Sequence, residues 1–267
     1  MVLALATAPG WAMPVVTAFQ ASGANAAAIT PTRDAFRAAI GGGTVAGANG
    51  SFGGVRREIN WDGVPDARAD PNLLPADFFN VSSPRGAVFS TPGSGFLVSA
   101  NAGGSTPTLF GFGTEFQTFS AQRLFTAANS NITDVRFFVP GTLTAATTSA
   151  FGVIFIDVEV ENLTKLEYFD EANTLIFSEF ALVSGNQGFS FLGATVNGGA
   201  IGRVRITSGL NTIVSNGVLG NPNDDLVVMD DFIYAEPARN VPVPSPATLT
   251  LLALGLAGLG FSRRKQP

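Results

Sequence analysis

The chain is 267 residues long, 46% hydrophobic and only 13% charged, with 31 glycines, 16 prolines and a formal net charge of −5. That much glycine and proline breaks long helices and favours a chain that turns often, so the body is expected to be all-β. There is no cysteine and no histidine, and 15 Lys and Arg face 20 Asp and Glu, which excludes disulfides, thiolate and imidazole metal ligands, Ser-His-Asp catalysis and a basic stripe for a nucleic-acid partner.

Residues 1–28 read MVLALATAPGWAMPVVTAFQASGANAAA, uncharged and apolar, with small residues at Ala24-Asn25-Ala26 and Ala26-Ala27-Ala28. This resembles the later part of a secretory signal peptide, although the opening Lys or Arg is missing. Pro9, Gly10 and Pro14 argue against a regular element of the mature fold, so the segment is read as a leader and the body as 29–240. Thr30 before Pro31 gives an N-cap with proline at the first helical position. Phe36 and Ile40 fall four apart before Gly41-Gly42-Gly43, and one short helix is expected there.

From Val55 onward, apolar alternation and turn residues predict strands over 57–61, 87–90, 95–100, 123–126, 135–139 and 153–160. A hairpin follows, with strands over 164–169 and 174–182 about the turn Asp170-Glu171-Ala172-Asn173, and then strands over 188–196, 201–207 and 226–234. Many short strands without intervening helical pattern point to an antiparallel β-sandwich of jelly-roll type, with 55–139 and 151–236 as one sandwich or two parts. The 23 phenylalanines, against 2 tryptophans and 2 tyrosines, are expected to build its core, since an exposed Phe forgoes about 2 to 3 kcal/mol. Tyr168 and Tyr234 are placed in the core or at a sheet edge.

Candidate sites within the body are acidic or aromatic. Asp157 and Glu159 end one strand, and Asp224, Asp225, Asp230 and Asp231 surround the last. Of these, Asp157, Glu159, Asp230 and Asp231 are the candidate calcium ligands, because a hard cation prefers carboxylate and carbonyl oxygen. The competing reading is a solvated strand face on which Arg203 and Arg205 pair with Asp157 and Glu159. Trp61, beside Asp62 and Asp66 in the turn Trp61-Asp62-Gly63-Val64-Pro65-Asp66, is a candidate glycan contact, because an aromatic face stacks on the apolar face of a sugar. The competing reading buries Trp61 at one end of the sandwich. Calcium is the only cofactor these residues suggest. No pair of carboxylates is placed by spacing at the separation glycoside hydrolysis needs, and no catalytic residue is assigned.

The C-terminus joins a Pro-rich spacer over 241–246, an apolar run over 247–261 and a basic tail of Arg263, Arg264 and Lys265. The run is expected to form a single apolar helix, shorter than the roughly 20 residues of an ordinary span, that anchors the chain with its body outside. These last residues resemble the PEP-CTERM sorting signal of Gram-negative bacteria, a Pro-Glu-Pro motif, a glycine-containing apolar helix and then arginines. Pro244-Ser245-Pro246 stands at the motif position, with Ser245 where the pattern has Glu, and the ending Gly-Phe-Ser-Arg-Arg matches.

The resemblance implies export, transient anchoring in the inner membrane and processing by an exosortase, in bacteria that make extracellular polysaccharide. Pro244, Ser245, Pro246, Arg263 and Arg264 are then the sorting residues. The segments 57–100 and 151–236 also resemble the β-sandwich modules of unknown function found ahead of such signals. The expectation is a non-enzymatic matrix, biofilm or adhesion protein at the cell surface or secreted. The alternatives are a calcium-assisted module binding extracellular polysaccharide and, third, a carboxylate-based glycoside hydrolase.

Overall fold

The structure, a computed structural model, describes residues 14–44, 55–100, 108–198, 200–214, 217–219 and 225–239. Residues 1–13 of the expected leader, and the expected C-terminal helix with the sorting residues, lie outside the described residues. In chain order the elements are β1 (Val15–Gly23), α1 (Ala26–Ile40), β2 (Arg56–Ile59), α2 (Phe78–Val81), β3 (Ala87–Ser90), β4 (Gly95–Val98), β5 (Phe125–Ala128), β6 (Ile132–Phe137), β7 (Ala150–Ile156), β8 (Lys165–Phe169), β9 (Leu175–Phe180), β10 (Phe189–Asn197), β11 (Arg203–Thr207), β12 (Thr212–Val214), β13 (Gly217–Leu219) and β14 (Val228–Ala235).

A seven-stranded sheet runs β1-β10-β7-β14-β5-β4 with β2 also on β14, a five-stranded sheet runs β3-β6-β11-β8-β9, and β12 pairs with β13. The ladders are antiparallel, and the all-β sandwich expected from the sequence is what these sheets form. Strands from 55–139 and from 151–236 neighbour one another in both sheets, so the body is one sandwich rather than two parts.

The two sheets read differently in sequence because they are buried differently. In the five-stranded sheet Val135, Phe137, Leu166, Tyr168, Val204 and Ile206 point inward against Phe125, Phe151, Phe155, Phe232 and Tyr234 of the other sheet. Their neighbours Arg136 and Arg205 take the outward face, giving the period of two seen in the sequence. The seven-stranded sheet is covered on both faces. Its second face, with Ile154, Ile156, Phe191, Val228 and Ile233, packs under Ile29 and Phe36 of α1 and under Phe110 and Phe116. Every residue of β7 and β14 is therefore buried, which explains their nearly unbroken apolar runs.

Glycines set how closely α1 docks. Gly152 lies opposite Gly193 in the β7–β10 ladder, and a Cβ at Gly152 would stand 2.8 Å from the ring of Phe36. Both tyrosines are in the core. The Tyr168 hydroxyl donates to the Phe151 carbonyl and accepts from Ala194 N at 2.9 Å, while that of Tyr234 donates to the Arg85 carbonyl at 3.1 Å.

One expectation about the N-terminal region is corrected. The helix starts at Ala26 rather than at Pro31, capped by Asn25, whose Oδ1 accepts from Ala28 N at 3.3 Å, and Pro31 lies inside it. Capping one turn earlier lets Ile29 reach the core together with Phe36. Within the segment expected to be a leader, Val15–Gly23 is a strand running antiparallel to β10 from Val15 opposite Asn197 to Gly23 opposite Phe189. Pro14 precedes this strand instead of interrupting it, and Phe19 meets Phe36 edge-on at 5.5 Å. Among the described residues no helix is long and apolar enough to cross a membrane.

Candidate functional site

The β14 ladder shifts register on β7 between Met229 and Phe232, and this irregularity brings the consecutive carboxyls of Asp230 and Asp231 to one hydroxyl. Ser120 Oγ lies 2.9 Å from Asp230 Oδ1 and 2.8 Å from Asp231 Oδ1, and Asp230 Oδ2 accepts from Phe119 N at 2.7 Å. One hydroxyl has one proton to donate, so the second contact needs a proton carried by the carboxyl pair. Burial pushes both carboxyls above the ordinary range, Asp230 well above it, and the charge of Asp231 raises Asp230 further. At 0% and 5% exposure, Asp230 and Asp231 brace the 119–123 loop from inside and do not face solvent.

Because these carboxyls titrate higher in the folded chain than in the unfolded one, their stabilising contribution is complete below about pH 4 and declines as pH rises through the folded-state values. The thermal midpoint is therefore expected to be lower at pH 8 than at pH 5, and D231N, with a permanently neutral amide, should flatten the decline. A midpoint rising over the same interval would refute the assignment.

Trp61 is corrected as a glycan contact. It is 1% exposed, its ring stacks parallel on Phe125 with centroids 3.9 Å apart, and Nε1 donates to the Asp230 carbonyl at 2.8 Å. Three more rings, Phe79, Phe89 and Phe232, surround it, and no face is left for a sugar.

The four candidate calcium ligands do not form one set. Asp157 and Glu159 meet Asp225 instead of Asp230 and Asp231, because the β10-β7-β14 order brings the end of β7 beside the starts of β10 and β14. Asp157 Oδ1 accepts from Gln187 N at 2.8 Å, and Asp225 Oδ1 accepts from Glu159 N at 2.8 Å and Val160 N at 3.1 Å. Asp157 and Asp225 are 0% and 1% exposed, and the Oδ2 of each is buried without a hydrogen-bond partner. Burial, then the charges of Glu159, Glu115 and Asp225, push Asp157 up to about 7, while burial raises Asp225 and Glu159. Among the described residues no group of three or more acidic side chains is placed to hold a metal ion by itself. Asp225 was legible only as one of several acids near the last strand, and Asp224 lies outside the described residues.

Arg203 and Arg205 also find a different partner from the one expected. Both bind Asp134, Arg203 Nη1 to Oδ1 at 2.6 Å and Arg205 Nη2 to Oδ2 at 2.8 Å, since β11 pairs with β6. Burial raises the Asp134 carboxyl, but hydrogen bonds from Arg205 and Arg203 outweigh it and hold the group below its ordinary value. The guanidinium of Arg203 also lies 3.8 Å over the ring of Phe169. With the exposed Arg136 and Asn173 and the half-buried Asp170, the residues Asp134, Arg203 and Arg205 line a groove of about 490 Å³ on the outward side of the five-stranded sheet.

Residues 242–265 match the family model of the PEP-CTERM protein-sorting motif. The comparison with curated proteins and that with solved structures give no match. The matched span contains Pro244, Ser245, Pro246, Arg263 and Arg264, with Ser245 where the pattern has Glu. The motif implies an exported protein, transiently anchored in a membrane and processed there by exosortase.

Proposed function

We propose that this exported, exosortase-processed sandwich works outside the cell as a non-enzymatic structural or adhesive component of the extracellular matrix. The sorting motif at 242–265 carries the reading, because it implies export of the body and processing of its anchor by exosortase. The buried carboxyl pair Asp230–Asp231 is compatible with it, since its geometry braces a loop and a structural body needs no open catalytic site.

A second reading, a glycan-binding module, is favoured by the groove over Asp134, Arg136, Arg203 and Arg205. Guanidinium and carboxylate groups fixed side by side offer the donors and acceptors that sugar hydroxyls pair with. One experiment addresses both readings. Protein recovered from the matrix of the producing organism is expected to lack Arg263, Arg264 and Lys265, and cells without the protein should form a less cohesive matrix. Recovery of the intact tail from outside the cell would refute processing, and an unchanged matrix would refute the structural role. Saturable binding of the organism's polysaccharide, lost in R136A and R205A, would make the glycan module the better reading.

A further inference from the structure

We propose that Asp157 and Asp225 form a divalent-cation site at one end of the seven-stranded sheet, and that calcium is the ion its chemistry fits. The register fixes the place. Ile156 stands opposite Phe189 of β10 and Val228 of β14, so Asp157, just past β7, meets the 184–188 loop on one side and the approach to β14 on the other. Backbone N–H groups hold one oxygen of each carboxylate, Gln187 N on Asp157 and Glu159 N and Val160 N on Asp225. The orientation of both carboxylates is thus set before any ligand arrives.

The second oxygens point to what is missing. Asp157 Oδ2 and Asp225 Oδ2 are buried without hydrogen-bond partners, as are the hydroxyls of Ser184 and Ser208. Ser184 is tied by its N–H to the Val158 carbonyl, next to Asp157, and Ser208 precedes Gly209, where a Cβ would stand 3.1 Å from Asp225 Oδ2. A native interior rarely leaves a buried polar oxygen unpaired, least of all a carboxylate. Among the described residues the charged neighbours that act on Asp157 are Glu159, Glu115 and Asp225, all acidic. Asp230 and Asp231 differ in this respect, because Ser120 and backbone N–H groups engage them.

Oxygen is the donor the site offers, since the chain has no histidine or cysteine, and that selects a hard cation. Calcium accepts six to eight oxygens in irregular geometry, whereas magnesium requires a near-ideal octahedron. With no third acidic side chain among the described residues placed to join the pair, the rest of the shell falls to loop oxygens and water. Such a shell belongs with the weak extracellular sites, whose dissociation constants are on the order of 0.1 to 1 mM.

The test uses the full chain stripped with chelator and titrated with calcium chloride by calorimetry and thermal melting, with sodium chloride at equal ionic strength and magnesium chloride as comparisons. One calcium per chain is expected, with the midpoint raised by several degrees and little response to magnesium. D157N and D225N should each weaken binding at least tenfold, and D134N, remote from the site, should not. Absence of both heat and midpoint shift at 20 mM calcium would overturn the proposal, as would unchanged binding in both variants. Should those variants fold poorly, hydrogen exchange on the unmutated chain decides. Calcium must slow exchange at the N–H groups of Glu159, Val160 and Gln187, and unaltered rates there would overturn the site.

Discussion

Replacing Trp61 with alanine is expected to destabilise the chain by about 4 kcal/mol, a large share of the total stability of a domain, and to leave much of it unfolded on modest warming. The ring is 1% exposed and lies at the centre of an aromatic cluster, stacked at 3.9 Å on Phe125 and edge-on to Phe79 and Phe232 at 5.4 and 5.0 Å. Removing it opens a cavity between the two sheets that neighbouring phenylalanines cannot fill without leaving their own contacts. The indole N–H also donates to the Asp230 carbonyl within the irregular part of β14. W61F separates the two contributions, keeping most of the packing and losing the hydrogen bond, and should cost roughly 1 to 2 kcal/mol. Denaturant midpoints check both variants. A loss below about 1 kcal/mol for W61A would show that the ring does not fill the sandwich.

Removing residues 1–28 is expected to be more damaging than removing residues 1–13, although both deletions take away apolar sequence of similar character. The longer deletion strips β1 from the whole length of β10, Val15 opposite Asn197 to Gly23 opposite Phe189, and with it Phe19 and the Asn25 cap of α1. Backbone hydrogen bonds contribute about 1 kcal/mol each, as does a helix cap, so the combined loss should exceed roughly 3 kcal/mol. It would also leave the edge of a long apolar strand open to association with other chains. Hydrogen exchange should show β10 amides losing protection only in the longer deletion, and the shorter one should keep the melting midpoint of the full chain. Equal midpoints for the two would refute the place of β1 in the fold. A leader cut at Ala24-Asn25-Ala26 or at Ala26-Ala27-Ala28 would take β1 with it.

The strands legible in the sequence were those with a local signature. Ala87–Ser90 and Lys165–Phe169 show alternation, Ala150–Ile156 is an unbroken apolar run, and Val228–Ala235 is apolar but for Asp230 and Asp231. β1 carried neither, because an edge strand with one covered face and many exposed positions has little apolar periodicity to read. The pair β12 and β13, only three residues each, is too short to carry any period. The site residues divided in the same way. Trp61 was read both as a platform and as core, and its neighbours Phe79, Phe89, Phe125 and Phe232, drawn from four parts of the chain, decided for core.

By itself the sequence determined the all-β class, the extent of most strands, the phenylalanine core and the sorting tail. Those follow from composition, from short-range periodicity and, for the tail, from a linear motif that an enzyme reads as a contiguous stretch. Only the tertiary structure decided which acids meet. Asp225 reaches across 66 residues to the backbone of Glu159 because β14 and β10 flank β7, while Arg203 and Arg205 turn to Asp134 because β11 lies beside β6. Strand order arises from pairing between distant segments, and no local pattern encodes which strand lies next to which.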